Sequence, residues 1–219
     1  MFRRKFILST LALGAVGFAS AAWWFKNQQS ISEKAQLPIK DNEALIRSYS
    51  PIIGDKDAPV TIVEFFDPAC EACRAFHPII KNILTEHNKS VRVVIRYTTF
   101  HGEASQVAVR YLEAARMQGI FEQVLEALLI AQPQWASHGR MRPELIASIA
   151  QSAGLDLGKA QSQIRAPQTA GILNQDSKDV QTRGVRQTPT FFVNNNQLEP
   201  LSEARLRDEI AKAVAEIGE

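Results

Sequence analysis

Cysteine is nearly absent: the chain holds two, Cys70 and Cys73, among 219 residues. That excludes a disulfide-rich scaffold. Surplus charge is lacking too. Lys and Arg number 25 against 23 Asp and Glu, and three of the basic residues, Arg3, Arg4 and Lys5, sit together at the N-terminus. The rest is close to neutral, so no basic face is left for nucleic acid, and no RNA- or DNA-binding motif is present. There is no internal repeat and no low-complexity segment. No second C-x-x-C and no H-x-H accompanies the cysteine pair, so a closed four-ligand zinc site lacks its donors. What is present is an ordinary 45% apolar composition, enough for a full core in one domain with a small appendage.

The appendage is N-terminal. Behind Arg3-Arg4-Lys5, the stretch Phe6 to Phe25 carries no charge, and it includes Ala19-Ser20-Ala21. Basic start, apolar middle and an A-x-A site make a signal peptide. The same length also suits a bilayer-spanning anchor, with Trp23 and Trp24 at the interface. Both readings of residues 1–25 stay open, and both place the remainder outside the cytoplasm, with membrane attachment through residues 6–25 in the second. Arg3-Arg4 leaves twin-arginine export open beside the general route. Residues 26–50 read as a polar tether, within which Asp41 to Tyr49 can form a short helix capped by Asp41.

Val60 to Phe66 is a β-branched and aromatic run interrupted only by Glu64, the pattern of a central strand buried on both faces. Asp67-Pro68 ends it. A helix then opens at Cys70 and runs to about His87, with Pro78 inside it. Val91 to Tyr97 is a second strand, its Val91, Val93 and Ile95 alternating with Arg92 and Arg96. Strand, helix and strand of these lengths imply a parallel pair. From Glu103 to about Arg183 the pattern is helix after helix with no strand, and Trp135 is expected to pack inside that block. Phe100 is expected to pack at the end of the second strand. Thr190 to Val193 is a third strand, Asn194-Asn195-Asn196 a turn, and Gln197-Leu198 its return. Ser202 caps a final helix.

Cys70-Glu71-Ala72-Cys73 allows three meanings: a working dithiol, a metal clip completed by His77, or an inert staple. A loop this short removes little unfolded-state entropy, which argues against the staple.

In this order the chain resembles the thioredoxin fold, and more closely the DsbA-like family of exported thiol–disulfide oxidoreductases. Four features carry the likeness: Cys70-Glu71-Ala72-Cys73 between a buried strand and a helix, Pro78 five residues on, Thr188-Pro189 before the strand Thr190 to Val193, and a helical block between the two halves. The resemblance implies an α/β thioredoxin fold with an inserted helical domain. Residues 51–100 would form the first half, 101–183 the insertion and 184–219 the second half. It also implies disulfide exchange with cysteines of exported proteins, a membrane redox partner and no cofactor beyond the Cys70–Cys73 disulfide.

Cys70, at the helix start, meets free N–H groups and the positive dipole end that favour a thiolate. It is the expected nucleophile and Cys73 the resolving thiol. Glu64 matches the family's acidic residue beneath the disulfide and is expected to serve as base for Cys73. Pro189 matches the family's cis-proline, and Thr188 offers its backbone to substrate. Glu71 and Ala72 stand where strong oxidases commonly carry a histidine. The charge of Glu71 should disfavour the Cys70 thiolate, and Thr188 is commoner among reductases and isomerases. The expected couple is therefore less oxidising than a DsbA-type oxidase. Two other classes compete: a copper- or zinc-handling protein using the reduced dithiol, and an interaction module acting through its helical block.

Overall fold

The computed structural model describes residues 44–137 and 140–217. The N-terminal export or anchor segment, most of the expected tether and the Asp41 cap lie outside them. Among the described residues no helix is long and apolar enough to cross a membrane.

The chain enters through β1 (Ile52–Gly54), β2 (Val60–Phe66), α1 (Glu71–Glu86) and β3 (Val91–Tyr97). A helical block follows: α2 (Glu103–Met117), α3 (Phe121–Ile130), α4 (Gln132–Trp135), a short ribbon of β4 (Ala136–Ser137) and β5 (Arg140–Met141), a 3-10 turn at Pro143–Leu145, α5 (Ile146–Ser152), α6 (Leu157–Gln163) and α7 (Pro167–Thr182). The chain returns through β6 (Thr190–Val193), β7 (Asn196–Gln197) and α8 (Glu203–Ala215).

The main sheet has the order β1-β3-β2-β6-β7. β2 and β3 are parallel, as two strands joined through a helix must be. β1 joins β3, β6 joins β2 and β7 joins β6, all antiparallel. Every residue of β2 is buried, which explains its nearly continuous apolar run: both faces are covered. Val60, Ile62 and Phe66 point into the larger core beside α1 and the helical block, together with Cys70, Cys73 and Trp135. Val63 and Phe65 point the other way, against Leu45, Val180, Val185 and Phe192. Period-2 alternation therefore puts Glu64 on the face that holds the two cysteines.

Several expectations are corrected. Residues 44–50 form turns and no helix. The Arg96 guanidinium takes the carbonyls of Ala44 and Leu45, both at 2.8 Å, in place of helical N–H groups. This segment is packed: Leu45 is fully buried. The helical block does contain strands, β4 and β5, paired Ala136 to Met141 and Ser137 to Arg140. Two residues each are too few to show a periodicity. β1 is missing from the sequence reading for the same reason. Phe100 does not pack; it is 47% exposed.

The β6–β7 turn is shorter than expected. Asn194 and Asn195 take φ of 43° and 77°, the two left-handed residues of a tight hairpin turn. Asn196 and Gln197 then pair with Val193 and Phe192. Asp156 and Ser202 cap α6 and α8 by accepting from the N–H of Lys159 and Arg205.

Candidate active site

Cys70 is the N-cap of α1, with extended φ and ψ of −80° and 122°. Its own N–H donates to the carbonyl of Asp67 at 3.0 Å, and its carbonyl accepts from Arg74 N–H at 3.1 Å. The sulfur is left at the open N-terminus of the helix, where unpaired N–H groups and the dipole favour negative charge. The Cys70 thiol is held down at about 5. The largest cause is the hydrogen bond from Cys73; burial opposes it, and Thr188 and the backbone N–H groups of Cys73 and Ala72 assist. The protonated thiol donates to the Thr188 carbonyl at 3.2 Å. A carbonyl cannot donate to a thiolate, so the assistance from Thr188 comes from its side chain, alongside Cys73 and the helix N–H groups. Exposed Glu71 is not among the main causes.

Cys73, one turn in, is fully buried. Burial, the hydrogen bond to Cys70 and the charges of Glu64 and Cys70 push its thiol well above the usual range. The two sulfurs are free and electrostatically opposite: one is an anion near neutral pH, the other a thiol that keeps its proton. Glu64 is 5% exposed, and burial, with the charge on Cys70 second, raises its carboxyl to about 8. Its mutual coupling with both sulfurs brings it to the site from the middle of β2. β6 flanks it, with Glu64 opposite Phe191. The Thr188–Pro189 peptide bond at the entry to β6 is cis, and Pro189 is buried.

The structure thus brings together Cys70, Cys73, Glu64, Thr188 and Pro189. Glu71 and Ala72 are exposed on the turn and line an open cleft of about 450 Å³ with Cys70, His101, Ser137 and Met141. His77 does not join the sulfurs. It lines a separate groove with Lys81, Glu126 and Ile130, and burial lowers its pKa. Among the described residues no group of three or more His, Cys, Asp or Glu is arranged to hold a metal ion.

Three supporting residues were not legible in the sequence. Asp67, read there only as a strand terminator, is fully buried and accepts from Ala69 N–H at 2.9 Å and Ser105 Oγ at 2.7 Å. It also accepts from the backbone N–H of His101 at 3.2 Å and meets His101 Nδ1 at 2.9 Å. Gln132, on α4, is 1% exposed and donates from Nε2 to the carbonyls of Pro68 at 2.8 Å and Cys70 at 3.0 Å. The helical insertion thereby holds the loop that presents Cys70. The one available signal was a Gln directly after the apolar run from Ala127 to Ala131.

Comparison with known proteins agrees with this geometry. A family model described as Thioredoxin matches residues 47–212. The Na(+)/H(+) antiporter NhaA 3 of Salinispora tropica is 33% identical over 176 residues, which are 76% of this chain and 26% of the antiporter. The chain spans about a quarter of that relative's length. Disulfide bond formation protein D of Bacillus subtilis is 25% identical over 184 residues, 75% of each chain. The crystal structure of a thioredoxin-like oxidoreductase from Silicibacter pomeroyi matches with a TM-score of 0.68 at 29% identity, covering 78% of this chain and 96% of the other. The chain belongs to the DsbA-like family of the thioredoxin superfamily.

Proposed function

We propose that the chain exchanges disulfides with cysteines of other exported proteins, Cys70 attacking and Cys73 resolving. The observation that carries this reading is the split between the two thiols: Cys70 drawn down to about 5 and Cys73 pushed far up. Disulfide exchange needs that asymmetry, because the attacking sulfur must be a thiolate and the resolving one must wait.

In the reducing direction the Cys70 thiolate attacks a substrate disulfide. A Cys70–substrate bond forms, the substrate S–S bond breaks and one substrate sulfur leaves. Cys73 then loses its proton to ionised Glu64 and attacks Cys70 Sγ. The Cys70–Cys73 bond forms and the second substrate sulfur leaves. The substrate gains two electrons and the dithiol loses two. In the oxidising direction the same steps run backwards. Glu64 suits the relay because its raised carboxyl titrates near 8, within reach of working pH. Thr188 and Pro189 hold the substrate's backbone beside Cys70.

An exported setting is supported by the basic and apolar N-terminal pattern, as cleaved signal or retained anchor, and the family resemblance extends the reading to a membrane-bound redox partner. A Cys70 thiol at about 5 lies between about 7 for thioredoxin and about 3.5 for DsbA, which supports a couple less oxidising than a DsbA-type oxidase. Trapping tests the assignment. With exported proteins as substrate, Cys73→Ser should accumulate mixed disulfides through Cys70, seen on non-reducing gels, whereas Cys70→Ser should accumulate none. Trapping by Cys70→Ser in place of Cys73→Ser would reverse the roles.

A further inference from the structure

The cleft beside Cys70 holds an imidazole that the exchange steps leave unused. His101 follows β3, and its Nδ1 lies 2.9 Å from the buried Asp67 carboxyl. Asp67 collects donors from Ala69, Ser105 and the His101 backbone as well. A carboxylate only accepts, so Nδ1 carries a proton, and in the neutral imidazole Nε2 is left with its lone pair. The His101 side chain is 35% exposed and lines the cleft with Cys70, Glu71 and Ala72. With Nδ1 turned inward, the Nε2 edge is the part of the ring available to that cleft.

Two protons must move in each exchange, and Glu64 reaches only one of them. It is buried beneath the sulfurs and is coupled to Cys70 and Cys73. The substrate's own sulfur arrives from the cleft. An ordinary cysteine, with a pKa of about 8.5, is mostly protonated at neutral pH and unreactive in that form. We propose that His101, oriented by Asp67, is a catalytic acid–base for the substrate's sulfur. In the oxidising direction Nε2 takes the substrate thiol's proton as that sulfur bonds to Cys70 Sγ. The Cys70–Cys73 bond breaks, its electron pair goes to Cys73, and Cys73 is protonated by Glu64. In the reducing direction the imidazolium returns its proton to the departing substrate thiolate. The inference rests on the exchange reading above.

The test uses the oxidised protein and two thiols in excess: glutathione, protonated at neutral pH, and thionitrobenzoate, an aryl thiol already ionised there. His101→Asn keeps an amide nitrogen near the place of Nδ1 for Asp67 and removes Nε2; His101→Gln serves as a second variant. Both should slow attack by glutathione at pH 7 by roughly tenfold or more and leave the rate with thionitrobenzoate within about twofold. Equal slowing of the two thiols would show a merely structural role, and no slowing with glutathione would remove the base; either overturns the inference and leaves the exchange reading standing. Failure of the unmodified protein to react with either thiol would overturn both.

Discussion

Glu64 and Cys70 titrate in opposite senses, and their effects on stability oppose one another. The Cys70 thiol falls from an ordinary value of about 8.5 to about 5. Its contribution to stability is therefore present above pH 8.5 and is lost as pH falls through 5. The Glu64 carboxyl rises from about 4.3 to about 8. Its contribution is present below pH 4.3 and is lost as pH rises through 8. Across pH 5 to 8 the two slopes offset each other in the reduced protein. Glu64→Gln removes one of them. The reduced variant should then become steadily more stable from pH 5 to 8 in urea unfolding, while mixed-disulfide resolution slows. A variant whose unfolding midpoint did not rise over that range, with resolution unchanged, would take Glu64 out of the site's electrostatics. At this scale the sequence pointed to Glu64 for a plain reason: a carboxylate in an apolar strand is costly enough to stand out. It could not show Asp67, His101 and Gln132, because their roles depend on partners more than thirty residues away.

Elements with length were legible. β2 and β3 fall where the apolar pattern puts them, since seven strand residues establish a period, and the four-residue apolar run of β6 falls at its expected place too. β1, β4 and β5 have two or three residues and establish none. Arg96 shows a subtler failure. It alternates with apolar neighbours in β3 and so reads as part of a polar face, yet its side chain is fully buried. α7 makes this tolerable: Asp176 and Asp179 pair with it at 2.7 and 2.6 Å, and Tyr49 and Arg47 complete the network from the N-terminal segment. The fold's second face is thus tied together by charges that only the folded chain assembles. Arg96→Met leaves Asp176 and part of Asp179 buried without a counter-charge. The expected cost is about 3–5 kcal/mol in urea unfolding. A loss below about 1 kcal/mol would mean that water or local opening satisfies the two carboxylates, and that the network contributes little.

The molecule as a whole joins a thioredoxin unit, which supplies the sulfurs, Glu64 and the Thr188–Pro189 turn, to a helical insertion. The insertion supplies Gln132 beneath the active-site loop and Ser137 and Met141 across the cleft. The order of strands and helices and the cysteine motif made this architecture readable; what the insertion does for the site was not, because it is a matter of side-chain contact between distant segments. On the proposed exchange chemistry, Cys70 and Cys73 form a reactive couple whose reduced state is favoured by a stabilised thiolate. Its most direct measure is the reduction potential of that couple against glutathione. The expected value lies between about −270 mV, as in thioredoxin, and about −120 mV, as in DsbA. A value below about −300 mV, typical of structural disulfides, would contradict it.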